Sequence, residues 1–183
     1  GLDHMEELNR HCDFEISPDL VVGDFDSHPK PEDMGCSLPD IIELPCEKDD
    51  TDTVFAGKEG IKRGFKDFLI IGGIGGRFDH SLGNAALLLL LYDAGAKAVL
   101  SDDFSDMEIV GENPVYVADT YSYFSLLAIY GRAKGIDITD AKYSLSNGDI
   151  SPDYQYGVSN EVEPGKKACI KVKEGRLLLV KDL

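Results

Sequence analysis

Two aspartates one residue apart, Asp24 and Asp26, close the apolar run Leu20-Val21-Val22 and follow directly on Gly23. In an extended chain residues two apart face the same way, so this spacing sets two carboxylates on one side of a strand end. Like charges that close resist joint ionisation unless a cation or hydrogen-bond donors compensate them. Mg2+ is a natural compensator, because it takes hard oxygen ligands and commonly uses one or two carboxylates together with substrate phosphates. The plainer alternative is an Asx-turn or a helix cap by Asp26 or Ser27.

A second cluster, Lys48-Asp49-Asp50-Thr51-Asp52, lies between a short apolar run (Ile41 to Leu44) and a helical stretch from about Thr53 to Arg63. Thr51 or Asp52 would cap that helix, and for a single Asp the cap is the better reading. Three aspartates and a lysine exceed what a cap needs. Lys48 would meet a phosphate, and Asp49 or Asp52 would complete a metal site. The third cluster is Gly72-Gly73-Ile74-Gly75-Gly76, followed by Arg77, Asp79 and His80. Glycines allow positive φ and a close backbone approach, and the N–H groups of the next helix point back at the loop, which suits a phosphate. The pattern is neither a Walker A loop nor the dinucleotide G-x-G-x-x-G. A tight turn with no ligand is the competing reading.

The elements that must position these groups follow from periodicity. Gly1 to Cys12 reads as a helix, with Leu2, Met5 and Leu8 on one face. Strands are expected at 20–22, 41–44, 68–71 and 97–100, and a helix from Leu82 to Tyr92 that is apolar nearly all round and so buried. Phe68 to Ile71 reads as a strand covered on both faces. Gly64 and Gly95 close the helices before them, and Ser101-Asp102-Asp103 reads as solvated. Alternating strands and helices imply an α/β domain over residues 1–109: a doubly wound, mostly parallel sheet with helices on both faces. Ligands then bind beyond the carboxyl ends of the strands, where all three clusters sit.

Past Ile109 the texture changes to short alternating runs, 115–117, 123–128, 136–138, 143–145, 168–172 and 177–180, separated by turns such as Ser146-Asn147-Gly148-Asp149 and Glu174-Gly175. This predicts a small all-β sandwich domain over residues 110–183. Its long polar stretch, Ser151 to Pro164, carries Tyr154, Tyr156, Ser159 and Asn160 and reads as a loop at a sheet edge, able to line a pocket for an aromatic ligand.

Thirty-four acidic residues against 18 basic ones give a net charge of −16, a field that repels nucleic acid and anionic membrane surfaces and favours small cations. The longest apolar run, Ala85 to Leu91, is too short to span a bilayer, and no signal-peptide pattern opens the chain, so a cytoplasmic protein is expected. Cys12, Cys36, Cys46 and Cys169 show neither C-x-x-C spacing nor paired histidines; scattered reduced thiols are expected rather than zinc or a disulfide framework.

Three chemistries compete on these residues alone: phosphoryl transfer on a metal-plus-phosphate site, a phosphohydrolase of haloacid-dehalogenase type with Asp24 as nucleophile and Asp26 as acid, and a nucleotide-binding module without turnover. Taken in order, Gly23-Asp24-Phe25-Asp26-Ser27, Lys48-Asp49-Asp50-Thr51-Asp52 and Gly72-Gly73-Ile74-Gly75-Gly76-Arg77-Phe78-Asp79-His80 resemble the signature set of the thiamine pyrophosphokinase family. Gly157-Val158-Ser159-Asn160-Glu161 and the closing strand from Gly175 to Val180 resemble that family's thiamine-binding domain. The resemblance implies transfer of a pyrophosphoryl group from ATP to the hydroxyethyl oxygen of thiamine, giving thiamine diphosphate and AMP with Mg2+. It assigns Asp24, Asp26 and Asp52 to Mg2+ and to orienting the hydroxyl. Lys48, Asp49, Thr51, Gly72, Gly73, Gly75, Gly76, Arg77, Asp79 and His80 go to the nucleotide, and Ser159 and Asn160 to thiamine. It also implies a homodimer whose sites combine the α/β domain of one subunit with the β domain of the other. The chain departs from the family in two ways: it begins at the last Gly of an expected strand-Asp-Gly-Gly opening, and it has no tryptophan, for which Tyr154 or Tyr156 would substitute.

Overall fold

The computed structural model describes residues 2–13, 17–26 and 40–183, with the side chains of residues 2, 3, 4 and 6 excepted. Ser27, residues 28–38 (expected from their prolines and glycine to be a loop or a short broken helix) and Cys36 among them therefore lie outside the described residues. The chain divides into two compact units, Gly1–Phe65 and Lys66–Leu183.

In the first unit, helix α1 (Leu2–His11) precedes strand β1 (Val21–Gly23), which pairs in parallel with β2 (Ile41–Glu43), Val21 opposite Ile41 and Gly23 opposite Glu43. Helix α2 (Asp52–Lys62) follows. Its cap is Thr51, whose hydroxyl accepts from the Val54 N–H at 3.3 Å, so Asp52 is left free of that duty. The helix ends at Arg63, and Gly64 takes φ +92°, where a Cβ would be strained.

The second unit holds β3 (Asp67–Ile71), α3 (Phe78–Asp93), β4 (Lys97–Ser101), β5 (Ser105–Val110), β6 (Val115–Ala118), β7 (Tyr123–Leu127), β8 (Ala133–Thr139), β9 (Leu145–Ile150), β10 (Lys167–Glu174) and β11 (Leu177–Asp182). Its five-stranded sheet runs β3-β4-β5-β11-β7, and its four-stranded sheet runs β6-β10-β8-β9. Of the expected doubly wound, mostly parallel sheet, the described residues show the parallel pairs β1–β2 and β3–β4, whereas β5 joins β4 antiparallel. The reason lies in the chain after β4. A parallel crossover takes a dozen or more residues. Here Asp102 Oδ1 accepts from the Phe104 N–H at 2.9 Å and the Ser105 N–H at 2.7 Å, so the expected solvated stretch is a tight turn that folds β5 back antiparallel on β4. The closing strand β11 then inserts between β5 and β7.

The sandwich is present, with one sheet continuous with β3 and β4. Val110, Phe124, Leu126, Leu177 and Leu179 from one sheet meet Val117, Ile136, Ile138, Ala168, Ile170 and Val172 from the other in a single buried core. On the opposite face Leu88 of α3 packs with Leu100, Ile109 and Leu178, flanked by Ile70, Ile74 and Tyr92. Strand β3 ends the order of its sheet, and among the described residues of its own unit nothing covers Leu69 and Ile71, which are 65% and 69% exposed, against the expectation of cover on both faces. Helix α3 starts four residues earlier than its apolar run. It buries a stripe (Ala85, Leu87, Leu88, Leu91) and leaves Leu82 exposed, because a helix on one sheet face can bury only one side. The Ser146–Asp149 turn lies instead inside β9. Register shifts against β8 accommodate it, and Asn147 takes φ +52°. No described helix is long and apolar enough to cross a membrane.

Candidate active site

In the first unit the residues after β1 and those before α2 meet through a lysine. Lys48 Nζ donates to Asp24 Oδ2 at 2.5 Å and stands 2.9 Å from Asp52 Oδ1, so one ammonium bridges two carboxylates that lie 28 positions apart in the chain. The Lys48 and Asp24 side chains are only 16% and 17% exposed, which sets the pair apart from the solvated ion pairs elsewhere. Asp24 Oδ1 also accepts from the Asp26 N–H at 3.4 Å. The Lys48 hydrogen bond, followed by that of the Asp26 N–H, holds the Asp24 carboxyl below the usual carboxylate range. Asp24 and Asp52 in turn hold the Lys48 ammonium above its ordinary value.

Asp52 Oδ1 is itself shut off from solvent and faces the Lys48 ammonium at 2.9 Å, although the Asp52 side chain as a whole is 44% exposed. Two carboxylates that already share one cation are the donor set that a hard divalent cation takes. The residues fit Mg2+ in that sense. Among the described residues no three His, Cys, Asp or Glu side chains gather closely enough to hold an ion alone, so an ion here would use two carboxylates and draw its other ligands from phosphate or water. Asp26 adds the N–H just described. Asp49 is exposed, Thr51 is the helix cap, and Asp50 pairs with Lys58 at 2.6 Å.

In the second unit the glycine loop joins β3 to α3. Gly73 is glycine for packing: a Cβ there would stand 2.7 Å from Leu100 Cδ1, and its carbonyl accepts from Asn84 Nδ2 at 2.7 Å. Gly72, Gly75 and Gly76 have positive φ, and at Gly75 and Gly76 an added Cβ would meet nothing. Their need for glycine is conformational, and the space beside them is open. Ile74 anchors the loop in the core under α3. Arg77 is the N-cap residue of α3 but supplies no side-chain cap. Its guanidinium instead grips Asp79 twice, Nε to Oδ1 at 3.1 Å and Nη2 to Oδ2 at 2.5 Å. This pair is largely exposed and holds the Asp79 carboxyl low, with a smaller contribution from the His80 N–H. His80 itself is exposed. The loop therefore offers bare main chain, a fixed guanidinium and the start of a helix dipole, the parts of an anion site.

Also in the second unit, the stretch 157–161 runs beside β7. Ser159 is exposed at φ +59°, and Asn160 is buried, its amide engaged with the backbone of Tyr143. Tyr154 and Tyr156 are exposed, with ring centroids 5.2 Å apart. Sequence reasoning passed over Ser125, whose hydroxyl accepts from the Ser159 N–H; a serine between Phe124 and Leu126 in an apolar strand was the available signal. Cys12, Cys46 and Cys169 are free thiols.

Residues 3–100 match the family model for the thiamin pyrophosphokinase catalytic domain, and residues 113–177 match the model for the thiamin pyrophosphokinase vitamin B1 binding domain. The thiamine pyrophosphokinase of Bacillus subtilis (strain 168) is 29% identical over 151 residues, covering 80% of this chain and 71% of its own length. Among solved structures, the thiamin pyrophosphokinase of Geobacillus thermodenitrificans superposes with a TM-score of 0.79 at 27% identity, over 97% of this chain and 82% of that one. That of Candida albicans reaches 0.81 at 12% identity over 99% and 78%, a likeness of fold.

Proposed function

The chain belongs to the thiamin pyrophosphokinase family, and we propose that it moves the pyrophosphoryl group of ATP to the hydroxyethyl oxygen of thiamine, with attack at the β-phosphorus and AMP as leaving group. The observation that carries this reading is the Lys48 bridge between Asp24 and Asp52, two carboxylates already gathered around a positive charge. Mg2+ is the cofactor of this reading, held by Asp24 and Asp52 with Asp26 beside them; when bound it neutralises phosphate charge. Phosphoryl-type transfer asks little covalent chemistry of the protein beyond such neutralisation and positioning.

The roles of the chain's own residues follow. Asp24, its carboxyl held low by Lys48, stays ionised at neutral pH. With the Asp24 and Asp52 carboxylates holding the metal, Lys48 would turn its ammonium to a phosphate oxygen, while Asp49 and Thr51 line the nucleotide side of that corner. Gly72, Gly73, Gly75 and Gly76 let main-chain N–H groups reach the ATP phosphates, and Arg77, oriented by Asp79 with His80 next to it, adds the fixed positive charge. Ser159 meets the aminopyrimidine of thiamine, with Asn160 behind it, and Tyr154 or Tyr156 supplies the aromatic face. In this reading residues 1–109 are the catalytic domain and 110–183 the thiamine-binding domain of a cytoplasmic homodimer with composite sites.

The test is the nucleotide product. Incubation with ATP, Mg2+ and thiamine is expected to give AMP and thiamine diphosphate in equal amounts, with no turnover when thiamine is omitted. ADP as product, or orthophosphate release from phosphomonoesters with phosphate trapped on Asp24, would overturn it in favour of a kinase of another type or a phosphohydrolase.

A further inference from the structure

Strand β7 reads Tyr123-Phe124-Ser125-Leu126-Leu127, and Phe124 and Leu126 are fully buried in the sandwich core. A serine between them is 9% exposed, and a hydroxyl taken from water in such a strand needs a partner. That partner comes from the stretch beside β7. The Leu126 N–H donates to the Gly157 carbonyl at 2.8 Å; Phe124 and Asn160 exchange both of their backbone bonds, at 2.9 and 2.8 Å. Between these anchor points β7 advances from Phe124 to Leu126, whereas the neighbouring stretch advances from Gly157 to Asn160. It carries one residue too many, the condition for a bulge.

Ser159 absorbs the surplus. It takes φ +59°, a conformation uncommon outside glycine, and its N–H donates to Ser125 Oγ at 3.1 Å. On its other side Asn160 is 5% exposed and spends its amide on main chain: Oδ1 accepts from the Tyr143 N–H at 3.0 Å and the Glu161 N–H at 2.9 Å, and Nδ2 donates to the Tyr143 carbonyl at 2.9 Å. Glycine would take the same φ without steric cost. A serine there keeps an exposed hydroxyl in a conformation that its surroundings over-determine, and strain of that kind collects at ligand sites.

We propose that Ser125 and Asn160 are positioning residues, which lock Ser159 in its left-handed bulge so that its hydroxyl is presented to thiamine. Asn160 thereby changes role, from a thiamine contact to the clamp behind one. The inference rests on reading the 157–161 edge as the thiamine side of the proposed reaction.

The test is calorimetric titration of thiamine and, separately, of Mg2+-ATP into the full chain, with steady-state kinetics alongside. Ser125→Ala is expected to weaken thiamine binding by about fivefold, the worth of one neutral hydrogen bond, with kcat and the ATP affinity unchanged. Ser125→Thr, which retains the hydroxyl, restores the wild-type thiamine affinity. Asn160→Asp, which loses the donor to Tyr143, shows a loss at least as large as Ser125→Ala. Thiamine affinity unchanged in Ser125→Ala would overturn the proposal, as would a loss shared equally by ATP and kcat. Wild-type protein that binds no thiamine would sink the functional reading and this inference together; wild-type binding with an indifferent Ser125→Ala would sink this inference alone.

Discussion

The acidic corner of the first unit and the bulged edge of the second are held in place by different forces. At the corner Asp24 and Asp52 are kept together by a single lysine, through charged side chains. At the edge Ser159 is fixed by main-chain bonds to β7, by a neutral hydroxyl and by an amide, over a core whose side chains are fully buried. On the proposed reading, the contrast means that the two substrates ask for different preorganisation. A metal and phosphates reward charges that can exchange one cation for another, whereas an uncharged pyrimidine edge rewards a rigid donor or acceptor in one position.

Removing a carboxylate is the strongest way to test that contrast. Asp24→Asn and Asp52→Asn are each expected to lower turnover by about 10²–10³-fold, the range seen when a preorganised electrostatic group is deleted, with the thermal unfolding of the second unit unchanged. Turnover reduced less than tenfold by Asp24→Asn would remove the corner from the chemistry. Next in size is Gly73→Ala. Its Cβ would stand 2.7 Å from Leu100 Cδ1, and overpacking of this kind costs about 1–3 kcal/mol, read as a lower urea midpoint. Gly76→Ala meets no atom, so its smaller cost comes from φ +57° alone; equal losses at the two positions would show that packing does not distinguish them.

Acid separates the regions more gently. Asp24 is held low by Lys48, so its stabilisation is present above the unfolded carboxylate pKa of about 3.9 and is lost as pH falls through the lower folded value. Lys48 is held high, so its share persists through neutral pH and disappears only as pH rises through its raised value. Hydrogen exchange of metal-free protein brought to acid is therefore expected to lose protection at β1 and α2 while the Phe124–Asn160 and Leu126–Gly157 bonds stay protected. Simultaneous loss would contradict the distinction. The smallest effect belongs to the solvated pairs. Lys166 stands 2.5 Å from Glu163 and 2.9 Å from Asp140 with half its side chain exposed, and Lys166→Ala should leave the melting temperature unchanged within error.

Local signals were legible where one side chain decides the backbone. A cap at Thr51 or Asp52, Gly64 and Gly95 as helix ends, and the runs that became β6, β7, β8, β10 and β11 stand where the sequence puts them, whereas β9 takes in the expected Ser146–Asp149 turn. Pairing partners were not legible, because periodicity does not say which strand lies beside which. The Asp102 turn that reverses β5 and the insertion of β11 beside β5 bring into one sheet strands expected in separate domains. Single residues at the candidate site could be named from motifs; their division of labour could not. That Lys48 would reach back to Asp24 and that Asn160 would spend its amide on Tyr143 depend on contacts distant in sequence.

The central physical claim is that Asp24 and Asp52 form a divalent-cation site that Lys48 fills when no metal is bound. Titration of Mn2+ followed by electron paramagnetic resonance, in the presence of ATP, tests it directly. Wild-type protein should take up an ion that the Asp24→Asn/Asp52→Asn double variant does not, and Lys48→Met, with the competing ammonium gone, should bind Mn2+ more tightly when ATP is absent. Mn2+ uptake by the double variant equal to that of wild type would contradict the claim.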